Sequence, residues 1–137
     1  SARRTATNSG AGRWNAVAVP GTFTAWSSGK PVNVAITEWS AADTYEAVTS
    51  FSCSSGLYTS NKTTITWNSP SPGGIGSNTT ALRMVATHEF GHAYGLNHMS
   101  TTCNGTKTVM VQGKTKWSCS WGTEPWQDDI NGVDAIY

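Results

Sequence analysis

The chain has three histidines, and all of them fall in one short run, His88-Glu89-Phe90-Gly91-His92-Ala93-Tyr94-Gly95-Leu96-Asn97-His98. His88 and His92 are four residues apart, so on a helix both imidazoles leave from one face and can share a metal ion. Glu89 follows the first of them and sets a carboxylate beside that metal without ligating it. Gly95 can adopt the left-handed conformation that stops a helix and swings the chain back. His98 then returns from the turn as a third nitrogen. Three neutral imidazoles with a fourth position left open describe a catalytic Zn²⁺ site, whereas structural zinc sites are closed by four protein ligands. The expected chemistry is hydrolysis: the metal lowers the pKa of a water, and Glu89 takes the proton from it and later returns it to a leaving group.

Composition narrows the remaining classes. A length of 137 residues suits one domain with a real core. The formal charge of +1 provides no basic field for nucleic acid, and no apolar run reaches membrane-spanning length. A soluble monomer with neither nucleic-acid nor membrane partners is expected. The three cysteines are an odd count. Cys103 and Cys119 bracket Met110, and a disulfide between them would add roughly 3 kcal/mol by loop closure and imply an oxidising compartment. Cys53 is left as a buried thiol or as the partner of a cysteine outside this chain. Cys103 also lies close enough to His98 in sequence to serve instead as a fourth zinc ligand, which would make a closed, non-enzymatic module.

The positioning elements come next. Thr79 or Thr80 can cap a helix running to about Tyr94, with Leu82, Val85, Ala86, Phe90 and Ala93 near helical spacing. Upstream, alternation predicts strands at 22–26, 32–37, 45–53 and 62–68, which would make a small twisted sheet. The stretch 69–77 is a Pro/Gly-rich linker. A last helix is expected to start near Pro125, where proline is favoured in a first turn. Glu124, Asp128 and Asp129 complement its dipole, and Ile130, Val133 and Ile136 supply its buried face.

The run H-E-x-x-H-x-x-G-x-x-H, followed twelve residues later by Met110, resembles the zinc-binding consensus and Met-turn of the metzincin metallopeptidases. Within that clan the chain looks most like a matrixin catalytic domain, and the likeness implies a small secreted bacterial member. The resemblance implies an α+β fold of a twisted mixed sheet, an active-site helix, a Met-turn and a C-terminal helix. It also implies one catalytic Zn²⁺ held by His88, His92 and His98, with Glu89 as the acid/base residue of an endopeptidase acting on peptide or protein substrates. Met110 would form an apolar floor under the imidazoles, and Asp128 and Asp129 would brace the Met-turn. Residues 1–19 would be the first helix of one domain spanning 1–137, with its preceding strand absent. Locally that helix is poorly supported, because Asn8-Ser9-Gly10-Ala11-Gly12 is weak helix material.

The chain departs from the matrixin pattern in places. Gln112 and Lys114 stand where matrixins commonly place Pro and Tyr after the methionine, and Met99 follows the third histidine in place of Ser. The loop 54–61 carries no Asp, Glu or His for a second metal. Besides the endopeptidase, two readings stay open: a catalytically silent or closed-site zinc module of the same fold, and a site with Glu124 as third ligand.

Overall fold

The computed structural model describes residues 1–29, 33–39, 45–51, 53–54, 57–58, 63–69 and 74–137. The order of elements is α1 (Ala2–Asn15), β1 (Val34–Trp39), β2 (Ala47–Ser50), β3 (Cys53–Ser54), β4 (Leu57–Tyr58), β5 (Thr63–Asn68), α2 (Thr79–Ala93), α3 (Thr115–Ser118) and α4 (Gln127–Ile136). The fold is α+β, as expected. Residues 70–73 of the linker, most of the loop 54–61, Val32 and the Cys53 side chain lie outside the described residues, and so do the expectations placed on them.

Three strands form a mixed sheet in the order β1-β5-β2, with β1 parallel and β2 antiparallel to β5. Strand β5 is central and alternates accordingly, with Thr63, Ile65 and Trp67 all buried. Strand β2 is an edge: its Thr49 sits opposite Ile65 of β5, and its other side faces a cleft. Strands β3 and β4 pair separately as a two-residue ladder.

The expected strand at 22–26 does not form. Asn15 donates from Nδ2 to the Phe23 carbonyl (2.7 Å) and accepts the Phe23 N–H at Oδ1 (2.8 Å). Both backbone groups of Phe23 therefore pair with one side chain and leave nothing for a strand neighbour. The Phe23 ring packs on Phe90 and Tyr94, with ring centroids 4.6 and 4.8 Å apart.

Helix α1 does form, despite its weak local propensity, because α2 needs it. At Gly10 a Cβ would stand 2.7 Å from the Ala86 Cβ and 2.9 Å from the Thr87 nitrogen. The glycine that weakens α1 locally is what lets the two helix backbones touch. Trp14, fully buried, anchors the crossing by donating from Nε1 to the Thr87 carbonyl at 2.8 Å. Burying such a ring contributes on the order of 2–3 kcal/mol, several times the propensity lost at one glycine. Arg3 adds a tie from α1 to the sheet, donating to the Asn68 carbonyl at 2.8 Å and to Glu38 at 3.0 Å.

Helix α2 starts at Thr79, and its N-cap is Asn78, one residue ahead of the expected threonines; Asn78 Oδ1 accepts from the Ala81 N–H at 3.1 Å. Helix α4 starts at Gln127, two residues beyond Pro125, because the Asp129 carboxylate reaches back to the Trp126 N–H at 2.8 Å and caps the helix there. One apolar cluster (Trp14, Ile65, Phe90, Tyr94, Leu96, Val109, Met110, Val133) joins α1, β5, α2, α4 and the segment between the last two. A smaller one (Ala6, Ala47, Trp67, Leu82, Ala86) joins α1, α2 and the sheet. Helix α2 contributes to both, so its histidines are mounted on an element packed into both clusters.

Candidate active site

Helix α2 ends in a motif that the sequence dictates. Gly95 has φ +96°, and two bonds close the terminus: the Gly95 N–H to the His92 carbonyl (2.9 Å) and the Leu96 N–H to the Gly91 carbonyl (3.1 Å). This is a Schellman cap with glycine at its left-handed position. It turns the Leu96 carbonyl back to His92, whose Nδ1 lies 2.7 Å from it. It also returns the chain so that His98 reaches the two helix histidines.

The three Nε2 atoms form a triangle with every side 3.1 Å. Their tautomers follow from what lies behind the rings. His88 Nδ1 is 2.7 Å from the Val109 carbonyl and His92 Nδ1 is 2.7 Å from the Leu96 carbonyl. A carbonyl oxygen only accepts, so in each ring Nδ1 carries the hydrogen and Nε2 presents a lone pair. Lone pairs aimed at one another are repulsive, and a cation between them resolves the arrangement. Tetrahedral nitrogen ligands about 2.0–2.1 Å from Zn²⁺ stand roughly 3.3 Å apart, so the triangle is of the right size for that ion. Imidazole also suits Zn²⁺ chemically. Burial lowers the pKa of all three histidines, most strongly for the enclosed His88, while the carbonyl bonds to His88 and His92 oppose it. Among the described residues, these three are the group able to hold a metal ion.

Glu89 is buried one residue along α2. Desolvation raises its pKa to about 7, against a hydrogen bond from Thr49 and the nearby charge of Lys116. A carboxyl poised there exchanges protons readily in either direction near neutral pH. His88, Glu89, His92 and His98 line a cleft of about 830 Å³. Ala47, Val48 and Thr49 of the edge strand form one wall, and Gly113, Lys116 and Trp117 form the other. The matrixin family model matches residues 12–137.

The chain belongs to the matrixins.

That family consists of zinc metallopeptidases, and the histidine triangle fits its metal. No curated protein sequence matches the chain. Met110 is buried in the core, and its sulfur packs where a Cβ of Gly91 would have to stand. The glycine inside H-E-F-G-H thus lets the Met110 side chain lie directly against the ligand helix. Asp129 holds this turn from α4: Thr108 Oγ1 and the Val109 N–H (3.0 Å) both donate to its carboxylate, and the Met110 N–H donates to Thr108 Oγ1 at 2.9 Å. Burial raises the Asp129 pKa while those bonds act the other way. Asp128, expected to share the bracing, lies exposed in the first turn of α4, and the bonds to the Met-turn come from Asp129.

Among the described residues, the other candidate ligands do not join the histidine group. Cys103 and Cys119 are joined as a disulfide, so Cys103 is not a fourth ligand and the matrixin site stays open to the cleft. Glu124 is exposed and paired with Arg13 at 2.5 Å.

Two groups in the cleft make contacts that the sequence does not mark. Thr49 Oγ1 lies 2.6 Å from Glu89 Oε2, and nothing in the residues around Thr49 distinguishes it from its neighbours in a β-rich stretch. Lys116 belongs to a set of three lysines near the disulfide but is the buried one. Its Nζ donates to the Val111 carbonyl at 2.9 Å, whereas Lys107 sits over the Trp126 ring and Lys114 is exposed. A lysine set among alternating polar residues carries no local mark of burial.

Proposed function

We propose that the chain is a zinc-dependent endopeptidase that hydrolyses internal bonds of an extended peptide, with Glu89 as its acid/base residue. The observation that carries this reading is the convergence of three histidine Nε2 atoms beside a buried carboxyl on the floor of a cleft with a strand edge for a wall. His88, His92 and His98 would hold one Zn²⁺, and Met110 would floor them. Bound there, the ion supplies a Lewis acid that polarises a carbonyl and lowers the pKa of water.

The chain's own residues do the rest. An extended peptide pairs with the free edge of β2 through its backbone, which lays it along the cleft. Glu89 accepts a proton from water as that water attacks the peptide carbonyl. It then delivers the proton to the departing amine, so the carboxylate is regenerated and one water is consumed per bond broken. The wall that includes Gly113, Lys116 and Trp117 shapes the pocket for the side chain past the scissile bond. The molecule works as one catalytic domain and as a monomer. The Cys103–Cys119 disulfide suits secretion into an oxidising compartment.

The test is metal removal and return. Wild-type protein should cleave a fluorogenic peptide library and gelatin at internal bonds, as read by mass spectrometry of the products. Dialysis against a chelator should abolish cleavage, and stoichiometric Zn²⁺ should restore it. Uncleaved substrate after incubation with the zinc-loaded protein would reject the peptidase assignment.

A further inference from the structure

Glu89 is held from across the cleft. Thr49 Oγ1 lies 2.6 Å from Glu89 Oε2 and 3.1 Å from the Glu89 carbonyl oxygen. A hydroxyl has a single hydrogen, and a carboxylate at this separation is the stronger acceptor, within the range of charge-assisted O–H···O⁻ bonds. Three features keep that hydroxyl in place. Thr49 is paired by register with Ile65 of the buried central strand. The alternation of β2, with Ala47 buried, Val48 and Ser50 exposed and Thr49 half-buried, turns the Thr49 side chain toward α2. Branching at Cβ stiffens χ1, so the hydroxyl has few other directions available.

We propose that Thr49 is a positioning residue for Glu89: its hydroxyl binds Oε2, fixes the carboxylate rotamer and leaves Oε1 for the proton transfers. The inference rests on the acid/base role given to Glu89 above. It adds a link between binding and chemistry, because β2 is both the strand that would pair with substrate and the strand that holds the base. A peptide docking on the β2 edge therefore stiffens the element that aims Glu89.

Thr49→Val keeps the shape and the β-branch and removes only the hydroxyl; Thr49→Ser keeps the hydroxyl and removes the methyl. On a peptide substrate, Thr49→Val should lower kcat on the order of ten- to a hundredfold, the scale of a misaimed catalytic group. KM should stay within about twofold and zinc content should be unchanged, while Thr49→Ser should stay within about threefold of wild type. Wild-type kcat in Thr49→Val overturns the proposal. So does an equal loss in Thr49→Ser, which would trace the effect to packing, or a change confined to KM, which would trace it to substrate pairing. A second readout needs no turnover. In metal-free protein, the change in Tm caused by Thr49→Val should differ between the wild-type and Glu89→Ala backgrounds, and equal changes would mean that the two side chains do not interact. If wild-type protein cleaves nothing, the peptidase reading fails, and this thermal cycle still decides whether the contact exists.

Discussion

The Nδ1 atom of His88 and the carbonyl oxygen of Val109 are 2.7 Å apart, which joins the first residue of the zinc motif to the residue before Met110. Behind Val109 stands Asp129, accepting from its N–H and from Thr108. A chain of contacts thus runs from α4 through the turn at Met110 to the ring of His88, a candidate metal ligand, and each member orients the next.

Asp129→Ala should break that chain. Two buried donors, from Thr108 and Val109, and the part-buried Trp126 N–H would lose their acceptor. The expected cost is about 2–4 kcal/mol, measured by denaturant unfolding of metal-free protein. Zinc affinity, measured by chelator competition, should fall about 10- to 100-fold, as it does when a partner that orients a ligand is removed. Unchanged affinity would mean that Val109 needs no support from α4.

At Gly91, helix propensity and packing predict opposite outcomes. Alanine is the better helix former by about 1 kcal/mol, yet its Cβ would enter the space of the Met110 sulfur and come within 3.2 Å of Trp14 Cζ2. Overpacking of this kind costs roughly 1–3 kcal/mol. Gly91→Ala is expected to lower Tm in wild type and to lower it less in a Met110→Ala background, where the sulfur no longer occupies that space. A raised Tm in the single variant would show that the floor is loosely packed.

Lys116 predicts a pH dependence. Burial lowers its pKa from 10.5 to about 8, against the charge of Glu89. Between those values the unfolded chain keeps the proton and the folded chain releases it. The unfolded state therefore binds more protons, and stability rises with pH across the window from about 8 to 10.5. Below it, the charged amine costs stability. The unfolding free energy of wild type minus that of Lys116→Met should climb through this window in denaturant titrations at successive pH values. A flat difference would mean that the amine is solvated.

What was legible in the sequence was local or tied to a motif. The spacing of His88 and His92 and the stop at Gly95 follow from helix geometry, which needs only neighbouring residues. Helix α2, strand β5 and the disulfide were readable because periodicity or pairing marked them. The strand expected at 22–26 failed because alternation describes an extended chain equally well, and Asn15, from another element, took the bonds of Phe23. Helix α1 looked weak because its stabilisation comes from contact with Ala86 and Thr87, more than seventy residues away. The contacts of Thr49 and the burial of Lys116 were not legible for the same reason: they depend on which group lies opposite, which the fold alone decides. Asp129 was expected to act with Asp128, and a helix start can turn only one of two adjacent carboxylates inward.

The proposed activity stands or falls with the buried carboxyl next to the histidine triangle. Glu89→Gln keeps the size of the side chain and an acceptor for Thr49 while removing the base. The decisive measurement is kcat/KM on a peptide substrate alongside zinc stoichiometry for wild type and Glu89→Gln. Both proteins should bind one zinc per chain, and the variant should lose about 10²- to 10⁴-fold in kcat/KM. A fully loaded Glu89→Gln that cleaves at the wild-type rate would contradict the acid/base role of Glu89.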